Sequence, residues 1–245
     1  MNNNKKIAIV TGAASGIGKA VALMLAELDY SVALVSRQKE KLIGVQKTII
    51  GLKKTADVFP LDIADATAVN NCVNTLINQY GKINVLFNNA GLFHAGTSEL
   101  NNLELKNMLE TNLLGAMYMG NQVAKHMKKQ KYGYIFNVAS VAGKRAIPFA
   151  GGYCASKFGL VGYSDALGEE LLSYGVKVTT ICPGIVNTPM VADIVKAAKL
   201  LKDQLIQPSD IADAVKYLLS LKNPIIIKEL IIDCKITEKE ISNQL

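Results

Sequence analysis

Residues 7–18 read Ile7-Ala8-Ile9-Val10-Thr11-Gly12-Ala13-Ala14-Ser15-Gly16-Ile17-Gly18, and this stretch decides the fold. Its first five residues form the apolar, β-branched run that a parallel strand shows when both of its faces are covered. Three glycines follow in the spacing TGxxxGxG, and a helical pattern starts at once, over about 16–29. A strand that turns tightly into a helix N-terminus leaves backbone N–H groups pointing outward, and glycines let that turn approach a pyrophosphate. A glycine-rich turn alone is a weak signal. Its weight here comes from the strand before it and the helix after it, which make Gly12, Ser15, Gly16, Ile17 and Gly18 candidate cofactor contacts.

Outward from this unit the alternation repeats. Short apolar runs at 7–11, 31–35, 57–61, 84–87, 134–138, 177–181 and 229–232 alternate with helical stretches near 16–29, 39–53, 65–80, 101–130, 152–174 and 208–221. Strand–helix–strand units join by right-handed crossovers. The pattern therefore predicts an α/β, doubly wound, Rossmann-type fold: a seven-stranded parallel sheet with helices on both faces. No shift of composition marks a second domain, so 1–245 reads as one dinucleotide-binding catalytic domain that closes in a charged tail, 233–245. Two stretches break the rhythm, 88–100 and 183–207. Ligands bind at the carboxyl ends of the strands in such sheets, so both lie on the functional edge. The longer one, over 184–207, reads as a partly helical substrate lid.

Half of the residues are apolar and 19% are charged. That supports a core without disulfide or metal staples and excludes disorder as the main state. No apolar run approaches the roughly 18–20 residues of a membrane span, and the N-terminus lacks a signal-peptide stretch. The expected setting is cytoplasmic, with no membrane partner. The four cysteines, Cys72, Cys154, Cys182 and Cys234, are isolated, and only two histidines accompany them. No metal site is expected, and the thiols read as small buried apolar groups. A net charge of +7 raises the question of nucleic acid. The only dense basic group, KHMKKQK at 125–131, falls at a helix end, where cations suit the negative pole of the dipole. No nucleic-acid partner is expected.

The second strand ends at Ser36-Arg37. A site selecting NAD places a carboxylate about there, against the adenosine ribose. A hydroxyl and a guanidinium suit a 2′-phosphate instead, so NADP(H) is favoured over NAD(H). The alternative is that Arg37 merely opens the next helix.

Ser140 follows the fifth strand, and thirteen residues later comes Tyr153-Cys154-Ala155-Ser156-Lys157. Helix positions i and i+4 share a face about 6 Å apart, which directs Tyr153 and Lys157 into one pocket. A free phenol, with pKa near 10, is only about 0.1% ionised at pH 7. An ammonium about 4 Å away, at an effective dielectric of about 20, favours the phenolate by roughly 4 kcal/mol. On that geometry Tyr153 becomes an acid/base usable near neutrality.

Taken together, these residues make the chain resemble the short-chain dehydrogenase/reductase family, in its compact single-domain branch, over about 5–232. The resemblance is carried by the TGxxxGxG loop, Asp62, Asn88-Asn89-Ala90-Gly91, Asn112, the Ser140/Tyr153/Lys157 set and Pro183-Gly184, all in the family's order. It implies an oxidoreductase that interconverts a carbonyl and a secondary alcohol by hydride transfer at a nicotinamide. On it, Tyr153 would exchange the proton with the substrate oxygen and Ser140 would hydrogen-bond that oxygen. Lys157 would lower the Tyr153 pKa and bind the nicotinamide ribose, and Asn112 would hold a relay water. Asp62 would contact adenine, Asn89 and Gly91 the ribose and pyrophosphate side, and Thr188 the carboxamide or pyrophosphate. Ile63, Ala90, Pro183, Gly184 and Val186 complete the implied cofactor set. A helix kink at Asn112 and a loop cap at Thr188 are the structural alternatives.

Residues flanking the catalytic set are mostly apolar, so the expected partner is a small carbonyl or alcohol with an apolar body. Phe93, His94, Ile147, Phe149 and Met190 join Ser140 as substrate-binding candidates, with a solvent-facing His94 as the alternative. The central region also resembles bacterial 3-oxoacyl-acyl-carrier-protein reductases, whose acidic carrier would suit the basic surface. Two departures count against them: a last strand reading KELIIDC rather than Gly-rich, and Ser15 where they often carry a basic residue. A general NADP-dependent carbonyl reductase ranks first and the carrier-protein reductase second. A catalytically silent nucleotide sensor is the rival from another class, opposed by the intact Asn112, Ser140, Tyr153 and Lys157. The 101–130 and 152–174 helices carry more apolar residues than one buried stripe requires, which points to a homodimer or homotetramer.

Overall fold

Five of the seven strands are buried along nearly their whole length, and the two that are not lie at the sheet edges. The structure, a computed structural model, describes residues 5–234, so of the tail expected over 233–245 only Asp233 and Cys234 fall within the described residues. The strands are β1 (Lys6–Thr11), β2 (Tyr30–Ser36), β3 (Ala56–Pro60), β4 (Val85–Asn88), β5 (Gly133–Val138), β6 (Val176–Pro183) and β7 (Glu229–Ile232). All pair in parallel, in the order β3-β2-β1-β4-β5-β6-β7. Strand order reverses between β1 and β4, which opens a crevice at the carboxyl end of the sheet.

Period-two alternation sends neighbouring strand residues to opposite faces. Ala8, Val10, Phe87 and Phe136 pack beneath α1 (Gly16–Glu27), α2 (Lys39–Gly51) and α8 (Pro208–Ser220), through Val21, Leu25, Leu42, Ile211 and Val215. Ile9, Val35, Leu86 and Ile135 face the other way. They meet Val69 and Leu76 of α3 (Ala66–Tyr80), Val123 and Met127 of α5 (Ala116–Gln130), and Leu167 and Leu171 of α6 (Gly151–Leu172).

The expected helix over 101–130 is interrupted. It forms α4 (Asn102–Leu109), a π-helical turn at Glu110–Gly115, and then α5. Such inserts shift the hydrogen-bond ladder by one residue and recur at functional sites. Packing holds this one: a Cβ on Gly115 would lie 2.7 Å from Ile63 Cγ1, so the turn presses directly on the loop after β3. The 184–207 stretch holds a 3-10 turn at Pro189–Val191, the short α7 (Ala192–Ala197) and a second 3-10 turn at Lys202–Gln204. A parallel bridge between Val186 and Ile206 closes its base. Cys72, Cys154 and Cys182 are buried and Cys234 is half-buried, all four as free thiols. Burial pushes the Cys72 thiol up to about 12 and the Cys182 thiol to about 11. Among the described residues no helix is long and apolar enough to cross a membrane, and no group of three His, Cys, Asp or Glu side chains could hold a metal ion.

Candidate functional site

The glycine loop is built by close approach. Gly12 and Gly16 adopt left-handed φ values of 67° and 51°, a region glycine enters without steric cost. A Cβ on Gly12 would stand 2.7 Å from Asn89 Nδ2, and one on Gly18 would stand 2.3 Å from the Gly12 carbonyl oxygen. Helix α1 therefore packs onto the turn through Gly18. Thr11 ties the loop to its neighbour: its hydroxyl accepts from the N–H groups of Asn89 at 2.9 Å and Ala90 at 3.0 Å, and its carbonyl accepts from Asn89 Nδ2 at 3.1 Å. The sequence reading missed this role, although a hydroxyl at the strand end just before the glycine was the available signal.

A cavity of about 230 Å³ runs along this loop and takes in Gly12, Ser15, Gly16, Ile17, Ser36, Arg37, Asp62, Ile63, Asn89, Ala90, Gly91 and Thr188. Where β2 meets this cavity, Arg37 Nη1 lies 3.6 Å from Asp62 Oδ2, both side chains being about half exposed. Asp62 also accepts from the Ala64 N–H at 3.0 Å. Ser36 Oγ accepts from the Gln38 N–H at 3.3 Å. A smaller hollow of about 90 Å³ shares Ile17, Asn89, Gly91 and Thr188 with the first and adds Ser140, Tyr153, Lys157, Pro183, Gly184 and Val186.

A third cavity, of about 110 Å³, opens from Ser140 and Tyr153 between Phe93, Ile147, Phe149, Ile185 and Met190. Its lining includes an ion pair absent from the sequence reading, Arg145 Nη2 to Asp233 Oδ2 at 3.0 Å. These two residues lie 88 apart in sequence, so no local pattern announces them. His94 is not among the residues lining this cavity. Its Nδ1 turns to Glu104 Oε1 at 3.4 Å, because α4 presents that carboxylate to the loop.

Ser140 Oγ accepts from the Ala142 N–H at 3.1 Å and donates to the Pro183 carbonyl at 3.3 Å, which fixes the side chain where two of the cavities adjoin. The Tyr153 ring meets Phe93 edge-on, with centroids 5.2 Å apart. Lys157 Nζ donates to the Val138 carbonyl at 2.8 Å and lies 5.5 Å from the Tyr153 ring centre. The expected fall in the Tyr153 pKa is absent. Burial pushes the phenol up to about 12, against a smaller downward pull from the Ser140 hydroxyl, and burial lowers Lys157 to about 8. Desolvation dominates at both groups because both are enclosed by protein.

Asn112 sits inside the π turn with its amide fully engaged. Oδ1 accepts from the Leu92 N–H at 2.6 Å, while Nδ2 donates to the Leu92 carbonyl at 2.8 Å and to Ser156 Oγ at 3.1 Å. Ser156, next to Lys157, donates in turn to the Tyr153 carbonyl at 2.7 Å. The side chain thus fastens the loop after β4 to the first turns of α6.

The profile described as short chain dehydrogenase matches residues 6–199. A putative ketoacyl reductase of the monensin polyketide synthase of Streptomyces virginiae is 38% identical over 191 residues, covering 77% of this chain and 73% of its own. The 3-oxoacyl-acyl-carrier-protein reductase FabG of Thermotoga maritima is 31% identical over 222 residues, covering 88% and 90%. Among solved structures, an NADPH-bound actinorhodin polyketide ketoreductase superposes with a TM-score of 0.87 at 31% identity, covering 95% of this chain and 97% of its own. A metagenomic short-chain oxidoreductase in complex with NADP gives 0.81 at 29% identity, covering 95% and 98%. The chain belongs to the short chain dehydrogenase family of oxidoreductases.

Proposed function

We propose that the protein interconverts a small, mainly apolar carbonyl compound and its secondary alcohol, with NADP(H) as the hydride carrier. One observation carries the reading: Ser140 and Tyr153 stand where a glycine-cradled nucleotide cavity meets an apolar one, with Lys157 behind them. The cofactor fits the residues present. Gly12, Ser15 and Gly16 line a cavity at the N-terminus of α1, which no side chain caps, and the free N–H groups there suit a pyrophosphate. Arg37 supplies a guanidinium where a 2′-phosphate would lie. Its half-exposed pair with Asp62 is a weak contact that a phosphate can displace. Asp62, Ile63, Asn89, Ala90, Gly91 and Thr188 would line the remainder, and the NADP- and NADPH-bound relatives support the same preference.

Bound NADP(H) would supply or accept the hydride. For reduction, burial keeps the Tyr153 phenol neutral and therefore able to donate its proton to the carbonyl oxygen. Ser140 Oγ, turning its proton from the Pro183 carbonyl, would hold that oxygen in line. Lys157, lowered to about 8 and still mostly cationic at pH 7, would stabilise the phenolate left behind and would hold the cofactor ribose. Asn112 would stand beside the proton relay, where its amide already ties the loop after β4 to α6. The apolar wall of Phe93, Ile147, Phe149 and Met190 sets the substrate body, and 184–207 serves as the lid. We take 1–245 as one catalytic domain working in the cytoplasm as a homodimer or homotetramer. The exposed apolar side chains of Leu114 and Phe158 support the pairing of subunits. A second reading, 3-oxoacyl-carrier-protein reduction, is favoured by the ketoacyl-reductase relatives.

The test is Tyr153→Phe against a panel of ketones, keto acids and acetoacetyl thioesters, followed by NADPH absorbance. A loss of at least about 100-fold in kcat with NADPH binding retained is the expected result. Survival within about tenfold would overturn the mechanism. Activity confined to thioesters would establish the second reading.

A further inference from the structure

The helix that carries Tyr153 and Lys157 has no side-chain cap of its own. Its N-cap position is Ala150, which offers no side-chain acceptor, so the free N–H groups of the first turn need partners from elsewhere. Thr97, in the loop between β4 and α4, supplies one. Its Oγ1 accepts from the Gly151 N–H at 3.0 Å, and the same hydroxyl donates to the Pro148 carbonyl. The Gly96 carbonyl shares the Gly151 N–H at 3.2 Å, and the Gly96 N–H donates to the Phe149 carbonyl at 2.7 Å. Gly96 reaches this geometry with φ at 130°, a conformation in which a side chain would be strained. The approach also depends on residue 151: a Cβ there would lie 2.6 Å from Thr97 Cγ2. The strap grips α6 two residues before Tyr153, and the same loop carries Phe93, whose ring rests edge-on against Tyr153.

We propose that Thr97 is a positioning residue: a cap delivered from a separate loop that fixes the first turn of α6 and so sets Tyr153 relative to Ser140 and the wall of the substrate cavity. The inference rests on the role proposed above for Tyr153. A hydroxyl that both accepts and donates is required, so serine can replace Thr97 and alanine cannot. A misplacement near 1 Å at a reacting group can cost up to about 100-fold in rate, so loss of the cap is read most directly in kcat.

The experiment compares full-length Thr97→Ala, Thr97→Ser and Tyr153→Phe by hydrogen exchange over 148–156, NADPH affinity from nicotinamide fluorescence, and kcat and KM on the best substrate of the panel. Thr97→Ala should exchange about tenfold faster at Gly151 and lose about tenfold in kcat. NADPH affinity should stay within about twofold, because the strap lies outside the nucleotide cavity. Thr97→Ser should restore both exchange and kcat. Unchanged exchange in Thr97→Ala, or faster exchange with unchanged kcat, overturns the inference, as does an equal loss of kcat in Thr97→Ser. Retained activity in Tyr153→Phe overturns the assignment of Tyr153 and this inference with it. Retained activity in Thr97→Ala beside an inactive Tyr153→Phe overturns the inference alone.

Discussion

Lys157 Nζ lies 5.5 Å from the centre of the Tyr153 ring and spends a hydrogen bond on the Val138 carbonyl. The ammonium is enclosed, and burial lowers its pKa to about 8. Tyr153, enclosed beside it, is raised to about 12. In this state each group is closer to neutrality than it would be in water, and the charge pair becomes favourable only when the phenol gives up its proton.

Stability should therefore depend on pH through Lys157. Its unfolded pKa is about 10.4, so between about 8 and 10 the unfolded chain holds a proton that the folded chain has released. Stability then rises with pH across that window, and the burial penalty is fully present below it. Relative to Lys157→Met, the wild type should gain in Tm from pH 7 to pH 10. Thermal unfolding of both proteins across that range checks it, and a difference that stays flat or shrinks contradicts it.

Arg37→Ala should weaken NADPH by about tenfold or more in KM while leaving NADH nearly unchanged, because a charge-assisted contact to the 2′-phosphate is lost. The exposed pair with Asp62 contributes at most about 1 kcal/mol, so Tm should barely move. Steady-state kinetics with both nucleotides decide the matter. Comparable wild-type efficiency with NADH and NADPH would sink the preference.

Thr11→Val removes the acceptor for two N–H groups, those of Asn89 and Ala90, at a buried strand end. Leaving such donors unpaired costs about 1–3 kcal/mol each. The expected outcome is a lower Tm and weaker NADPH binding, with Thr11→Ser close to wild type. Calorimetry and nucleotide titration measure the two effects.

Phe149→Ala should widen the apolar cavity, now about 110 Å³, without touching the nucleotide site. Bulkier ketones should gain about tenfold in kcat/KM relative to small ones, the scale on which hydrophobic pockets discriminate. An unchanged substrate ranking would show that Phe149 does not bound the substrate.

Much of the site was legible because it is local. TGxxxGxG places Gly12, Gly16 and Gly18 on one turn, and YxxxK puts Tyr153 and Lys157 on one helix face whatever surrounds them. Ser36 and Arg37 fall at a strand end by the same short-range logic. His94 was harder, since whether a loop histidine faces a cavity or a carboxylate depends on where α4 brings Glu104.

By itself, then, the sequence determined the alternation of strands and helices, the parallel sheet and the positions of the glycine loop and the Tyr153–Lys157 pair, because each follows from spacing along the chain. Only the tertiary structure decided that a π turn divides the 101–130 helix against Ile63. It also decided that Thr97 caps α6 from 54 residues away, and that the Tyr153 pKa is raised by burial rather than lowered by the Lys157 ammonium. Those outcomes depend on packing between distant segments and on how far each group is removed from water.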